Sequence, residues 1–385
     1  MRICLVNSFF PPWRGGAETY TYNLARHLVR RGHEVEVFCA APPLRPGSSV
    51  IGGIRVNRLR VSGWLYGTPI TPNLLLRLMS VEADIFHAGF PSPHNAFLVS
   101  LVSRLRKKPS VLTWHNDLPG VTRTAGLLVL LHDSFVLPTY IAQYSKIVAT
   151  TEEYAEKSPI LRRWRRKVCI VPNGVDCERF SPEVDGRPVR DALVLGDRPT
   201  AIFIGALTRW HSYKGLDILL RAFSHLVGTV REAALLVVGD GDLRSRYEKM
   251  AIDLGVRRDV FFVGDIDDSD LPRYCAASDF LVLPSKDRSE GFGLTILEAN
   301  ACGRPAIGSK VGGIPDVISE RYNGLLVPPC NPSKLSEAMR YLFENVEERL
   351  RMGRNARRFA EMRNWSSVAA KMNKIYEEVL MEPEE

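Results

Sequence analysis

Two glutamates with seven residues between them, Glu290 and Glu298, enclose a segment of this 385-residue chain that could bind a polyhydroxy ligand. An apolar run at residues 280–283 ends at Pro284, and a polar loop leads from there to Glu290. A helix beginning near Leu294 would place Glu298 about one turn into it. Carboxylates suit bidentate hydrogen bonds to vicinal hydroxyls, and the amides between the two glutamates suit a phosphate. The alternative, a pair of surface glutamates, is the commoner case for such a pattern.

Glycine-rich turns at three places offer converging backbone N–H groups of the kind that bind phosphates. They lie at residues 11–16, 239–241 and 291–293. None reproduces the Gly-x-Gly-x-x-Gly or the Gly-x-x-x-x-Gly-Lys-Ser/Thr pattern. Taken singly, each turn is more commonly a tight bend than a ligand contact.

A basic group follows the apolar run at residues 201–204 and consists of Arg209, His211 and Lys214. Cations at the carboxyl end of a strand can neutralise a departing diphosphate, which gains charge as it leaves. Ordinary loop solubility would explain the same three side chains.

A single histidine, His115, ends the apolar run at residues 111–114 and is followed by Asn116 and Asp117. In that position its ring could hydrogen-bond a sugar hydroxyl or assist a proton transfer. The alternative is a purely structural histidine, the usual role of an isolated one.

Two series of alternating strand and helix patterns must position these residues. Short apolar runs lie at residues 3–6, 35–39, 84–87, 111–114, 147–150 and 168–171, then at 201–204, 235–238, 260–263, 280–283, 306–307 and 325–327. Such alternation predicts parallel sheets covered on both faces. Residues 178–198 have the proline, glycine and charge content of a linker. We therefore predict an α/β chain of two doubly wound domains with a ligand cleft between them.

Composition places the chain among ordinary globular proteins, with 45% hydrophobic and 24% charged residues. No run approaches the roughly 18 apolar residues that span a bilayer, and the N-terminal residues lack the pattern of a signal peptide. The seven cysteines contain no Cys-x-x-Cys pair and favour a reducing compartment. We predict a cytoplasmic location.

The net charge of +8 is concentrated in the first half of the chain. Residues 1–185 hold 23 Lys and Arg against 14 Asp and Glu, whereas the remainder holds 28 against 29. This asymmetry points to an anionic partner such as a membrane surface, a phosphorylated acceptor or nucleic acid, or else to a solvated basic face. Residues 161–167, with five cations around one tryptophan, show the same ambiguity.

The order and spacing of these motifs resemble the retaining glycosyltransferases of family 4, the group 1 transferases, over nearly the whole chain. The matching segments lie at residues 15–18, 31–35 and 171–176, then at 213–220, 237–241, 262–264, 278–285, 290–299, 303–307, 311–315 and 323–327. The resemblance implies the GT-B fold of two Rossmann-like domains. We place the acceptor-binding domain at residues 1–185 and the nucleotide-sugar domain at 186–365, with a C-terminal helix at 366–385 packing back on the first.

By this resemblance, Glu290 would contact hydroxyls of the donor sugar and Glu298 the ribose. Lys214, with a nearby arginine, would neutralise the diphosphate. Amides and glycines at the strand ends would hold phosphate and sugar oxygens. These predicted donor contacts are Gly15, Gly16, Gly205, Gly239, Gly291, Phe292, Gly293 and Leu294, with Val263 against the nucleobase through main-chain atoms.

His115 matches a histidine that this family places beside the transferred sugar. Family members work without a divalent metal, so we predict no metal and no other cofactor; the literal Asp-x-Asp at residues 240–242 is interpreted as a turn and helix cap. The sequence departs from the family at Ala206, where many relatives carry the diphosphate-binding arginine. The nearest arginine is Arg209, which we assign to that role.

The implied reaction is transfer of a sugar from a UDP- or GDP-sugar to an acceptor hydroxyl with retention of anomeric configuration. Same-face attack is favoured over a covalent intermediate, because no further carboxylate stands out as a nucleophile. The catalytic group would then be Glu290, His115, Lys214 and Arg209, with Glu290 chiefly positioning the sugar.

The acceptor would bind the basic first domain, which suggests a lipid-linked or phosphorylated molecule at an anionic membrane. Residues 55–66, 127–131 and 161–167 could dock the protein there peripherally. Two alternatives remain open: a sugar-nucleotide-binding regulatory subunit, and another GT-B enzyme such as a nucleotide-sugar epimerase. Nucleic acid is not predicted as a partner, because no recognition motif accompanies the charge.

Overall fold

The computed structural model of the chain describes residues 1–13, 15–65, 67–118, 123–226, 228–230 and 232–382. Arg14, Tyr66 and residues 383–385, which belong to predicted segments, lie outside these residues. The chain divides into two compact units. Unit 1 comprises Met1–Gly174 together with the C-terminal segment from Trp365, and unit 2 comprises Val175–Asn364. The predicted first domain extended to residue 185, whereas unit 1 ends at Gly174.

The strands, in chain order, are β1 (Arg2–Val6), β2 (Glu34–Ala40), β3 (Gly47–Ile51), β4 (Ile54–Leu59), β5 (Gly63–Leu65), β6 (Thr68–Ile70), β7 (Ile85–Phe90), β8 (Ser110–Trp114), β9 (Lys146–Ala149), β10 (Val168–Ile170), β11 (Thr200–Ile204), β12 (Ala234–Val238), β13 (Val260–Gly264), β14 (Phe280–Leu283), β15 (Ala306–Ser309) and β16 (Gly324–Val327).

The helices are α1 (Gly16–Arg30), α2 (Leu74–Ser80), α3 (Pro93–Leu105), α4 (Arg123–Leu131), α5 (Leu137–Ile141), α6 (Glu152–Lys157), α7 (Pro159–Arg163), α8 (Arg187–Ala192), α9 (Leu216–Ser224), α10 (Arg244–Asp253), α11 (Leu271–Ala277), α12 (Leu294–Ala301), α13 (Ile314–Val317), α14 (Pro332–Glu344), α15 (Val346–Glu361) and α16 (Trp365–Met381). A π-helical turn at His132–Val136 and 3-10 turns at Arg165–Lys167, Arg209–Lys214 and Asp268–Asp270 complete the described helical elements. None of these helices is both long and apolar enough to cross a membrane.

The main sheet of each unit has doubly wound topology. In unit 1 the described strands follow the order β10-β9-β8-β7-β1-β2-β4-β3, parallel except for β3 against β4. In unit 2 the order is β13-β12-β11-β14-β15-β16, and every pair is parallel. The direction of winding reverses between β1 and β7 in unit 1 and between β11 and β14 in unit 2. Ligands of such sheets bind at the carboxyl ends of the strands beside this reversal.

Alternating residues of the strands of unit 1 are buried on opposite faces of its sheet. In β1, Ile3 and Leu5 pack with α1 and α16, whereas Cys4 and Val6 pack with α2 and α3. A strand buried on both faces has a continuous apolar run in its sequence, because neither of its faces is exposed to water. Burial of each large aliphatic side chain is worth about 1.5–3 kcal/mol, so both helical layers contribute to the stability of this sheet.

The C-terminal helix α16 is joined to the sheet of unit 1 by a buried polar chain. The hydroxyl of Tyr376 lies 2.6 Å from Nδ1 of His87, and Nε2 of His87 lies 2.7 Å from Oγ1 of Thr113. Burial lowers the pKa of His87 to about 3, with a further contribution from His115. The histidine therefore stays neutral in this chain of hydrogen bonds at physiological pH.

Unit 2 has one core, built from β11–β16 and the helices around them. Residues 178–198, which the sequence presents as a linker, belong to this unit. Phe180 of this stretch is buried in the core, and α8 forms within it. The linker prediction was therefore wrong, because isolated apolar residues such as Phe180 and Val189 pack against the unit although their neighbours are polar.

Candidate active site

A buried ion pair between Lys214 and Glu290 is the main electrostatic feature at the winding reversal of unit 2. Nζ of Lys214 lies 3.0 Å from Oε2 of Glu290, and their side chains are only 14% and 9% exposed. Burial alone would lower the pKa of Lys214, but the charge and hydrogen bond of Glu290, together with the electrostatic effects of Tyr213 and Glu298, outweigh it and raise that pKa. The hydroxyl of Ser285 donates a longer hydrogen bond to the same carboxylate oxygen, at 3.4 Å. Two residues that were predicted separately as donor contacts, Lys214 and Glu290, therefore lie together.

Backbone contacts between neighbouring strand ends create this pair. Lys214 ends the loop after β11, and Glu290 lies in the loop after β14. Gly215 has a left-handed backbone (φ 77°), and a Cβ there would lie 2.1 Å from the carbonyl oxygen of Pro284. The amide of Lys286 donates to the carbonyl of Tyr213 at 2.7 Å. Glycine at 215 is therefore required for the two loops to approach closely enough for the charges to meet.

Two predicted glycines, Gly205 and Gly239, line the backbone beside Lys214. A Cβ on Gly205 would lie 2.7 Å from Cδ of Lys214. A Cβ on Gly239, whose φ is 132°, would lie 2.1 Å from the carbonyl oxygen of Gly205. Both glycines are explained by packing within the unit, because side chains there would displace the lysine stem or the adjacent strand end.

The second glutamate, Glu298, lies in α12 and is also buried. Burial raises the pKa of its carboxyl to about 8, although the charge of Arg179 acts to lower it. Arg179 makes an ion pair with Asp268 at 2.7 Å. The charge of Lys214 also acts to lower the pKa of Glu298, so this lysine interacts electrostatically with both glutamates of the motif. Arg179 had no sequence signal, because it lies in the stretch interpreted as a linker.

The loop from Glu290 to the start of α12 is held by a second pair of glycines. The amide of Gly313 donates to the carbonyl of Glu290 at 3.0 Å. A Cβ on Gly312 would lie 2.0 Å from that carbonyl oxygen, and one on Gly313 would lie 2.2 Å from that of Gly291. The helix then begins at Leu294 after Gly293, which is left-handed (φ 87°). The first amides of a helix lack partners within it, so this turn can donate to an anion.

Predicted amide contacts at Gly291, Phe292, Gly293 and Leu294 belong to this turn. Phe292 is buried in the core of unit 2, and this burial holds the turn in place. The segment therefore combines a fixed backbone with amides near the buried pair of Lys214 and Glu290.

Arg209 makes its ion pair with Asp242 at the surface and not with the buried Glu290. Its Nε donates to Oδ2 of Asp242 at 2.9 Å, its backbone amide donates to Oδ1 of the same residue, and its side chain is 70% exposed. The structure therefore gives the predicted diphosphate-binding arginine a surface ion pair instead. Asp240 accepts from the Gly241 amide and from Arg244. Neither aspartate caps α10, which begins at Arg244 without a side-chain cap, so the cap interpretation was wrong.

His211 of the same basic cluster interacts electrostatically with the buried pair. Its Nδ1 lies 2.8 Å from the hydroxyl oxygen of Thr208. Burial lowers the pKa of His211, Lys214 lowers it further, and Glu290 acts in the opposite direction. The sequence favoured Arg209 over His211 for the diphosphate, and only the folded loop shows that His211 interacts with the buried pair.

Val263 lies at a β-bulge on an edge strand. In the ladder between β12 and β13, Val237 pairs with Phe262 and Val238 pairs with Gly264, so Val263 is skipped. A bulge displaces the backbone of the extra residue from the regular ladder. This geometry presents main-chain atoms of Val263 at the carboxyl end of β13, the type of contact predicted for the nucleobase.

In unit 1, His115 lies beside the carboxyl ends of β1 and β7. Its ring packs edge-on against Tyr20, with centroids 4.9 Å apart. Burial lowers the pKa of His115 to about 4, so the ring is neutral at physiological pH. Its Nε2 is buried without a hydrogen-bond partner among the described residues, which leaves a polar atom for a ligand.

Gly15 and Gly16 begin α1 on the same side of unit 1. A Cβ on Gly15 would lie 2.2 Å from Oε2 of Glu18, whose carboxyl is buried and has its pKa raised to about 7 by that burial. A Cβ on Gly16 would meet no described atom within 4 Å. The only described neighbour of the Cβ position at Gly15 is the flexible end of the Glu18 side chain, so packing among the described residues requires glycine at neither 15 nor 16.

Within the described ranges, no group of three or more His, Cys, Asp or Glu side chains is arranged to hold a metal ion. Metal independence stays a prediction.

Comparison with known proteins identifies the class to which this fold and site belong. Residues 14–179 match the model described as Glycosyltransferase Family 4, and residues 189–359 match that of Glycosyl transferases group 1. The chain is 31% identical to D-rhamnosyltransferase WbpZ of Pseudomonas aeruginosa over 89% of its own length and 86% of that protein. It is 30% identical to the GDP-mannose-dependent alpha-(1-6)-phosphatidylinositol monomannoside mannosyltransferase of Mycolicibacterium smegmatis, over 94% of each chain. The chain belongs to the family 4, group 1 glycosyltransferases.

Solved structures agree on the fold. Sucrose-phosphate synthase of Thermosynechococcus elongatus superposes with a TM-score of 0.80 at 24% identity, covering 98% of this chain and 99% of that one. HepE of Anabaena in complex with UDP and glucose superposes with a TM-score of 0.78 at 19% identity, covering 98% and 99%. The protein is a glycosyltransferase of GT-B fold, and the predicted family and fold class are confirmed.

Proposed function

We propose that this protein transfers a hexosyl group from a guanosine-diphosphate sugar to an acceptor hydroxyl, with retention at the anomeric carbon. The observation that carries the proposal is the buried pair of Lys214 and Glu290 at the winding reversal of unit 2. A cation held there by a carboxylate can neutralise a diphosphate, and the carboxylate can then bind hydroxyls of the sugar.

The choice of guanosine rests on the relatives rather than on the site. The mycobacterial relative that matches 94% of this chain is named as GDP-mannose-dependent, and an O-antigen chain mannosyltransferase of Escherichia coli is also 30% identical. The family's nucleobase contacts run through main-chain atoms, here near the bulge at Val263, so the side chains do not reveal the base. GDP-mannose is accordingly the first donor to test.

In the proposed reaction the acceptor oxygen attacks the anomeric carbon on the face from which the diphosphate departs. The bond from that carbon to the phosphate oxygen breaks, and the leaving phosphate takes the proton of the acceptor hydroxyl. Lys214 stabilises the charge that accumulates on the diphosphate. Glu290 holds the sugar, and Glu298, with its raised pKa, can accept from and donate to the ribose diol.

A panel of GDP-, UDP- and ADP-sugars, scored by thermal stabilisation of the full chain, tests the donor assignment. We expect GDP-mannose to give the largest shift, and a larger shift with a UDP- or ADP-sugar would reject guanosine. Glu290→Gln should retain donor binding but lose transfer by about 100-fold or more. A regulatory subunit would show no transfer with either form, whereas an epimerase would convert the donor without an acceptor.

For the acceptor, we propose a lipid-linked or phosphorylated molecule reached from an anionic membrane surface. Helix α4 and the π-helical turn after it expose large apolar side chains: Leu127, Leu128, Leu130, Leu131, Phe135 and Val136. The basic residues at 162–167 belong to the same unit. Exposed apolar side chains in a unit that also carries a cluster of cations suit peripheral binding to an anionic interface.

Co-sedimentation with vesicles tests this docking. The wild-type chain should sediment with phosphatidylglycerol-rich vesicles at low salt and with neutral phosphatidylcholine vesicles much less. Leu127→Ser combined with Leu130→Ser should reduce sedimentation, and Ile252→Ser, an exposed apolar residue of unit 2, is the matched control. Equal sedimentation with both vesicle types, or none, would reject the anionic-surface proposal.

A further inference from the structure

In the loop between β11 and α9, no side chain other than Lys214 has so far been assigned to bind the diphosphate. Ala206 stands where the resemblance expects an arginine, and Arg209 pairs with Asp242 at the surface. One buried cation, Lys214, then faces the two charges of a diphosphate while also pairing with Glu290. Besides the backbone amides at residues 291–294, Lys214 is thus the one side chain assigned so far to the diphosphate in the proposed donor site.

His211 lies in the right part of this loop and is held in place. The 3-10 turn from Arg209 to Lys214 brings its backbone amide to the carbonyl of Thr208 at 3.0 Å, and its ring Nδ1 to the Thr208 hydroxyl at 2.8 Å. Thr208 lies against Gly241, where a Cβ would be 2.8 Å from the methyl group of the threonine. The two bonds to Thr208 fix both the backbone and the ring of His211.

The hydroxyl of Thr208 also determines what the other ring nitrogen can do. When the imidazole is neutral, the hydroxyl can donate to Nδ1, which puts the ring proton on Nε2. When the imidazole is charged, both nitrogens donate and the hydroxyl accepts. In either case Nε2 can present an N–H to an anion, on a ring that interacts electrostatically with both Lys214 and Glu290.

We propose that His211 binds the diphosphate of the sugar nucleotide through Nε2, beside Lys214, in place of an arginine. This inference rests on the proposed function, because it assigns a second ligand within the same donor site.

The inference predicts that donor affinity depends on pH. The charged groups that act on His211 are Lys214 and Glu290, and the neighbouring Tyr213 stays neutral because burial raises its pKa to about 12. In the free protein burial and Lys214 lower the pKa of His211. A bound diphosphate favours the charged imidazole and raises that pKa, so binding takes up a proton and affinity increases as pH falls.

The test measures the dissociation constant of the best-stabilising sugar nucleotide of the panel from pH 5.5 to pH 8. A sugar nucleotide is used because its phosphates do not titrate in this range. His211→Gln should weaken binding at pH 6 by about tenfold to hundredfold, the range for a charge-assisted hydrogen bond. It should also flatten the dependence on pH, whereas His211→Arg should restore affinity without restoring that dependence.

Two further variants separate this role from a general effect. His225→Gln makes the same substitution at an exposed histidine of unit 2 and should leave the dissociation constant unchanged. Arg209→Gln should change it far less than His211→Gln. The inference is overturned if His211→Gln binds with wild-type affinity and pH dependence, or if Arg209→Gln carries the loss. If the wild-type chain binds no sugar nucleotide of the panel, the proposed function fails and the inference with it.

Discussion

The carboxyl ends of the strands at the two winding reversals are topologically equivalent but chemically different. In unit 2, the loops after β11 and β14 bring together the buried charges of Lys214 and Glu290. In unit 1, the side chains beside β1 and β7 include Ser8 and His115, whose Oγ and Nε2 are buried without partners among the described residues. The same topology therefore carries a buried charged pair in one unit and neutral polar side chains in the other.

The difference fits what each proposed ligand would require. A diphosphate needs fixed cations, and a buried lysine stays charged only when a carboxylate compensates its desolvation. A hydroxyl of the transferred sugar, which His115 is predicted to bind, needs one donor or acceptor of hydrogen bonds and no net charge. Neutral His115 meets that need, since burial has lowered its pKa to about 4. If this comparison is right, variants at the two sites should separate effects on stability from effects on catalysis.

The largest effect should come from breaking the charged site. Lys214→Met leaves Glu290 buried without its counter-ion, which should lower the free energy of unfolding by about 3–5 kcal/mol and abolish transfer. The double variant Lys214→Met with Glu290→Met should recover most of the stability but none of the activity. Urea titrations and transfer assays of both proteins make the measurement.

Lys286→Met is the matched control for that experiment. It removes a lysine of the same unit from a more exposed pair with Asp217, at 2.9 Å, and should cost no more than about 1 kcal/mol. A loss as large as that of Lys214→Met would contradict the special position of the Lys214 pair.

Two glycine substitutions, one in each unit, should separate an effect on stability from an effect on activity. Gly215→Ala in unit 2 forces a left-handed alanine against the Pro284 carbonyl and should cost about 2 kcal/mol or more. Gly16→Ala in unit 1 meets no described atom and should leave stability unchanged or slightly higher, because alanine favours the first turn of α1. If donor phosphates approach Gly16, this variant still loses transfer activity. A destabilised Gly16→Ala protein would contradict this contrast.

The most gradual of the expected effects are opposite pH dependences of stability, each spread over several pH units. The pKa of Glu298 is raised to about 8 in the folded state, so the folded protein binds the extra proton and loses stability as pH rises from about 4.5 to about 8. The pKa of His115 is lowered to about 4, so the unfolded chain binds the extra proton and stability falls as pH decreases from about 6.5 to about 4. Each slope should be on the order of 1 kcal/mol per pH unit.

Glu298→Gln and His115→Asn isolate the two contributions. The difference in unfolding free energy between wild type and Glu298→Gln should grow toward pH 8, and that for His115→Asn should grow toward pH 4. Parallel curves for either variant would show that its ionisation is not linked to folding.

The sequence alone determined the architecture and the glutamate motif. The apolar runs and the helical spacing of Tyr20, Leu24 and Leu28 predict parallel sheets covered on both faces, because a doubly covered strand has no polar face. All three residues of that helix are buried. The motif from Glu290 to Glu298 could also be recognised from the sequence, because its loop, its turn and the start of its helix lie within nine consecutive residues.

Only the tertiary structure decided which side chains share the site with that motif. Arg209 and His211 are two residues apart in one basic loop, yet Asp242 holds Arg209 at the surface while Thr208 holds His211 near Lys214. Arg179 interacts electrostatically with Glu298, although it lies in a stretch whose sequence resembles a linker. These choices depend on contacts between segments distant along the chain, and residue type and local spacing carry no information about such partners.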